Sequence, residues 1–199
     1  MADQPSVIND ALILMGEDTV ISLDPTSKPV RTLNALWATT RDAELEANPW
    51  TFARRRTALT LSALAPVFGY AAAYPLPDDC VAVLDLPCLD YRDWAIESHG
   101  SVDDDEDVKA ILVRCEQTSP VYLLYTRRHT NVAKWPATFC KALSARLAIE
   151  ACRQLAQSST VRQEAAEIYD LAISTAKRTN AIEQPSRELP ESDFILVRG

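Results

Sequence analysis

Apolar positions recur along this chain with two different periods, and the switch between them divides it into parts. Near the start, Val7, Ile8, Ala11, Leu12 and Met15 fall at helical spacing. They predict a first helix from about Ser6 to Met15, with Ser6 as N-cap and Gly16 closing the C-terminus. Asp24-Pro25 and Lys28-Pro29 mark a turn-rich stretch, and Pro29 at a first helical position opens a longer helix. Val30, Leu33, Leu36, Trp37 and Ala47 mark its buried face. Asn48-Pro49 ends it, because the residue before a proline is pushed out of the α region.

From Thr57 to Arg128 the runs become short and strand-like: Thr57–Leu61, Cys80–Leu84, Trp94–Glu97, Ala110–Val113 and Val121–Tyr125, separated by Pro, Gly, Asp and Ser. The acidic run from Ser101 to Asp107 fits an exposed hairpin tip. Helical spacing then returns with Phe139, Leu143, Leu147, Ala151 and Leu155 at every fourth position. After a link at Gln157-Ser158-Ser159, Thr160 and Gln163 form a capping box for a second helix, whose stripe is Val161, Ala165, Ile168, Ala172 and Ala176. So short a link predicts an antiparallel helical hairpin. Beyond Glu183 the chain carries Pro185 and Pro190 and ends in the apolar, β-prone run Phe194-Ile195-Leu196-Val197.

The predicted fold class is α+β, mainly α. A four-helix bundle carries an inserted small β-sheet or sandwich and an extended C-terminal tail. The parts are an N-terminal helical pair over 1–56, a β-rich insertion over 57–130, a C-terminal helical hairpin over 131–182 and a tail over 183–199. Trp50 and Phe52, just past the helix-ending Asn48-Pro49, are predicted to plug the bundle where helix meets sheet.

Composition changes this picture little. Hydrophobic residues make up 47% and charged residues 24%, ordinary for a globular domain, while 4 Gly against 12 Pro favours stiff connections over a glycine-hinged lid. The net charge of -8 argues against wrapping nucleic acid, since duplex binding rests on Lys and Arg neutralising phosphates. It is compatible with a channel through which DNA slides without sticking. The 5 cysteines (Cys80, Cys88, Cys115, Cys140 and Cys152) include no CxxC pair, which predicts reduced thiols in a cytosolic product, with Cys140 and Cys152 as core residues. No apolar stretch approaches the roughly 18–20 residues of a membrane span, so no membrane partner is expected.

Several pieces recur in an order of their own: Ile8-Asn9-Asp10-Ala11-Leu12 with Leu14-Met15-Gly16-Glu17, then Ile21-Ser22-Leu23, then Arg41-Asp42 leading to Asn48-Pro49-Trp50-Thr51-Phe52-Ala53. Tyr70 with Tyr74-Pro75-Leu76-Pro77-Asp78-Asp79-Cys80 follows, and then Tyr125-Thr126, Trp135-Pro136 and the stripe from Phe139 to Ala151. Their order and spacing resemble the tail tubular protein A family, the head-to-tail adaptors of short-tailed bacteriophages. The stretch from Leu86 to Ser119 and the tail after Glu183 carry none of these pieces.

The resemblance implies a structural protein of the virion tail, made in the host cytoplasm. It would form a twelve-membered homo-oligomeric ring between the portal protein and the tail nozzle (tail tubular protein B), with double-stranded DNA passing through without tight binding. It also brings the alternative of a peptidoglycan hydrolase, an activity proposed for some members of that family.

Candidate chemistry is sparse. Arg54, Arg55 and Arg56 could meet channel phosphates, acidic patches on a neighbouring subunit, or solvent alone. Asp103, Asp104 and Asp105 lie in the acidic run, which lacks the Gly and the terminal Glu of a calcium loop, so a solvated or partner-facing tip is expected. His99 and His129 have no second His or Cys at ligand spacing, and neither a GxSxG elbow nor P-loop glycines occur. No catalytic residue, metal ligand or cofactor is expected. Phe194, Ile195, Leu196 and Val197 are the remaining candidates, for a strand added to a neighbour or a groove, or for folding back on the chain's own helices.

Overall fold

A computed structural model describes residues 2–90, 92–100, 107–114 and 120–184. Among them, α1 (Gln4–Met15) and α2 (Lys28–Ala47) precede six strands: β1 (Arg54–Leu59), β2 (Ala72–Pro75), β3 (Cys80–Asp85), β4 (Trp94–His99), β5 (Val108–Val113) and β6 (Val121–Arg127). Two helices follow, α3 (Ala137–Ala151) and α4 (Ser159–Ile182).

The first helix buries Val7, Ile8, Ala11, Leu12 and Met15, the face its spacing predicts, and Gly16 closes it at φ 74. Its cap differs from expectation. Asp3 is the N-cap and accepts from the Ser6 backbone N–H, while the Ser6 hydroxyl accepts from the Asp3 backbone N–H, so Ser6 is the reciprocating member of the box. Asn9 pairs through its amide with both backbone groups of Val20, at 2.9 and 2.8 Å, and folds the following turn onto the helix. For α4 the cap is Ser158, whose hydroxyl accepts from Val161 N, in place of Thr160.

The helices do not form the expected four-helix bundle. α3 is the hub: α1, α2 and α4 each pack on it, while α1 touches α2 and α4 only slightly. Phe139, Ala142, Leu143, Ala145, Leu147, Ala148 and Ala151 are buried around much of its circumference, a pattern suited to a central helix. α4, by contrast, buries only Ala165, Ile173 and Ala176, and Ile168 of the predicted stripe is exposed. The inner face of α2 carries Thr40, Arg41 and Glu44 beside Leu33, Trp37 and Leu45, whereas Ala47 is exposed. These polar residues interrupt the apolar face that α2 gives to the core, and α2 also contacts β3 and β6. The result is a mixed α+β architecture of four helices and two sheets.

Each sheet has three antiparallel strands, in the orders β1-β6-β3 and β2-β5-β4. The five predicted strands all occur, and β2 is added to them. Only β4 and β5 are neighbours both in sequence and in a sheet. One apolar cluster draws on both sheets: Leu59, Tyr74, Ile111, Val113, Leu123 and Tyr125. β2 ends at Pro75 on a sheet edge, where the missing N–H removes nothing from the ladder.

Helices and sheets meet at an aromatic junction. Trp50 meets Phe139 edge-on at 5.1 Å, Phe52 lies 4.9 Å from Phe139 and 5.9 Å from His129, and Trp135 stacks on Trp37 at 6.0 Å. Asp42 accepts from Arg41 on its own helix and from Arg128 just past β6, each at 2.8 Å, and so ties α2 to the first sheet. At the other side of the junction Asn180 of α4 accepts from Thr51 N and donates to the Pro49 carbonyl.

Candidate interface on the first sheet and its loop

The arginine run does not act as one patch. The helix stops at Asn48-Pro49, a short turn over Thr51–Ala53 redirects the chain, and the arginines enter β1, where successive side chains alternate faces. Arg54 stands opposite Thr126, Arg55 opposite Tyr125, Arg56 opposite Leu124 and Ala58 opposite Tyr122. Paired residues share a face. Arg55 therefore sits on the side of Tyr125 and Leu59, at the margin of the core between the sheets. Its guanidinium lies 3.3 Å from Asp79, and that carboxylate also accepts the Tyr125 hydroxyl at 2.9 Å. Burial, and then the Asp79 carboxylate, push the Tyr125 hydroxyl up to about 12.

Arg54 and Arg56 stand on the opposite, outer face with Ala58, Tyr122 and Leu124. Among the described residues neither forms an ion pair, and the buried Arg54 Nε meets no hydrogen-bond partner; nor does Thr126 Oγ1 on the same face. Two hollows open here. One, of about 410 Å³, is lined by Ala58, Pro87 and Tyr122 among others; the second, of about 420 Å³, by Pro49, Arg54, Leu84, Asp85 and Gln184. Arg56 and Leu124 line both, so the two hollows are neighbours along this face and together form a furrow.

A second surface escaped the sequence reasoning. Between β1 and β2 the chain exposes Leu61, Leu64, Val67 and Phe68, the last two 87% and 86% exposed. Its base is held: Ser62 N donates to the Ala73 carbonyl at 2.8 Å, and the buried His99 Nε2 lies 3.0 Å from the Leu64 carbonyl. The available signal was four large apolar residues punctuated by Pro66 and Gly69, with no alternation to pair them.

The other candidates cannot be placed this way. Asp103, Asp104 and Asp105 lie outside the described residues, as do Phe194, Ile195, Leu196 and Val197. The strands flanking the acidic run, β4 and β5, pair antiparallel with His99 opposite Val108, as a hairpin requires. Among the described residues no group of three or more His, Cys, Asp and Glu is arranged to hold a metal ion, and no helix is long and apolar enough to cross a membrane. Cys80, Cys88, Cys140 and Cys152 are free thiols.

One carboxyl is buried among the helices. Glu44 is 5% exposed; Oε1 accepts the Tyr169 hydroxyl at 2.9 Å and Oε2 has no partner. Burial pushes its carboxyl above the usual range, against the Tyr169 hydrogen bond and the charges of Arg146 and Lys177. Such a raised carboxyl is what an acid catalyst needs, and it lines neither hollow of the furrow. Its consequence is for stability. An acid with a raised folded-state value stabilises fully below the unfolded-state value, and the contribution is lost as pH rises through the folded one. Glu44→Gln should therefore melt at or above the wild type at pH 7. In thermal melts between pH 7 and about pH 4 the wild type should gain steadily on the variant. A gap independent of pH would remove the buried charge from the account.

Compared with known proteins, the chain matches no family model, and no curated protein matches it.

Proposed function

We propose that this chain is a structural head-to-tail adaptor of a short-tailed bacteriophage, one subunit of a twelve-membered ring between portal protein and tail nozzle. The virion tail is its place of action, and the genome passes through the ring without tight binding. The observation that carries the proposal is the apolar loop between β1 and β2. A subunit that works alone rarely holds Leu61, Leu64, Val67 and Phe68 in water on an anchored loop, whereas a subunit with permanent neighbours covers them. The order of the motif pieces from Ile8 to Ala151 supports the same reading, and their residues do structural work: Asn9 pins a turn, Asp42 joins helix to sheet, and Asp79 holds Tyr125 and Arg55. The loop fits an inter-subunit or portal contact in such a ring.

Electron microscopy of the purified chain, alone and mixed with the portal of the same phage, tests this. Closed rings in either sample are expected, with Phe68→Asp cutting ring yield while the far-ultraviolet circular dichroism stays unchanged. Single subunits in both samples at high concentration would end the adaptor proposal.

A further inference from the structure

The outer furrow of the first sheet has a composition that asks for an occupant. Its floor is apolar where Ala58, Pro87, Tyr122 and Leu124 line it, and its walls carry Asp85 and two arginines, Arg54 and Arg56, that form no ion pair with a described residue. A guanidinium Nε buried without a partner is costly. A ligand for this face therefore needs carboxylates next to an apolar stretch.

This chain contains such a segment, and it starts at the furrow itself. Gln184 lines the hollow beside Arg54, and residues 185–199 follow directly. They carry Glu188, Glu191 and Asp193 ahead of Phe194-Ile195-Leu196-Val197, against Arg187 and Arg198, so acidic residues outnumber basic ones. The distance suits as well. Nine residues lie between Gln184 and Phe194, a reach of up to about 33 Å when extended, against about 13 Å for the strand from Arg54 to Ala58. Pro185 and Pro190 disfavour helix in the intervening sequence. Starting at the furrow also favours the chain's own segment over that of another molecule, because a tethered ligand has a high effective concentration.

We infer that the C-terminal segment 185–199 lies in this furrow in its own subunit, its carboxylates against Arg54 and Arg56 and its apolar run over Tyr122 and Leu124. The inference does not depend on the adaptor proposal: it concerns the free subunit and holds whether or not rings form.

Hydroxyl-radical footprinting of the full-length chain in dilute solution tests it, with the exposed Phe68 as internal reference. Tyr122 should label severalfold more slowly in the wild type than in Leu196→Asp, with Phe68 unchanged. The reciprocal variant leaves the segment intact: Arg56→Glu should raise labelling of Phe194 severalfold. Equal labelling of Tyr122 in wild type and Leu196→Asp would overturn the inference, as would Phe194 labelling that ignores Arg56→Glu. Protection of Tyr122 that appears only as protein concentration rises would assign the furrow to a second copy, and would overturn it too.

Discussion

Trp50→Ala should cost about 3–5 kcal/mol of folding free energy, much of what a domain of this size has to spare. Two losses combine. The indole is buried to 1% exposure between Phe52 and Phe139, and the space beside it is tight, a void of only about 10 Å³ where Trp50 and Phe139 face Ala176 of α4. Truncation opens a cavity that three elements, already fixed by other contacts, cannot close. The indole N–H also donates to the Glu44 carbonyl at 2.7 Å. That carbonyl lies in the last turn of α2, where no intrahelical donor remains. α2 ends on an extended Asn48 with no left-handed cap, so the Trp50 side chain takes over the role a C-terminal glycine plays elsewhere. Trp50→Phe keeps most of the volume and loses only the donor, and should cost about 1–2 kcal/mol. Urea unfolding of both variants checks the pair. Equal costs would mean that the ring volume contributes nothing beyond its hydrogen bond.

What the sequence made legible follows from what kind of signal each element carries. The face of α1 was readable residue by residue because Val7, Ile8, Ala11, Leu12 and Met15 point at one partner, α3, and helical periodicity reports such one-sided burial directly. Short apolar runs bounded by Pro, Gly, Asp and Ser likewise located β1, β3, β4, β5 and β6. β2 was missed because Ala72-Ala73-Tyr74-Pro75 is short, buried throughout Ala72–Tyr74 and followed by prolines, which mimics a turn. The bundle was misjudged for a related reason. Periodicity says that a helix has an inner face, not what lies on it. The face of α2 is completed by Thr40 and Glu44, whose partners Glu150 and Tyr169 lie far along the chain on α3 and α4.

The candidate surface was half legible. Arg54, Arg55 and Arg56 stand out as a basic run, but only the strand they enter separates Arg55, paired with Asp79, from Arg54 and Arg56 on the outer face. The furrow itself could not be read. Its second hollow alone combines Pro49, Leu84, Leu124 and Gln184, from four distant stretches of the chain, two of them on the neighbouring strands β6 and β3. Exposure of the loop from Leu61 to Phe68 was hidden because apolar residues in a sequence are read as core by default.

The hub position of α3 gives the second large effect. Leu147 is completely buried on it, in the core shared with α1, α2 and α4. Leu147→Ala should destabilise by about 2–5 kcal/mol, toward the upper end because neighbours on several sides are held by their own contacts and cannot collapse into the space. Leu171 on α4 is the internal control. It sits on a neighbouring helix but is 71% exposed, since α4 presents only Ala165, Ile173 and Ala176 fully to the core. Leu171→Ala should therefore stay within about 0.5 kcal/mol of the wild type in the isolated subunit. The contrast separates the observed architecture from a symmetric bundle, in which all four helices bury comparable stripes and outer-helix truncations cost as much as central ones. Chemical denaturation of the two variants beside the wild type measures it. Comparable losses at Leu147 and Leu171 would refute α3 as the hub.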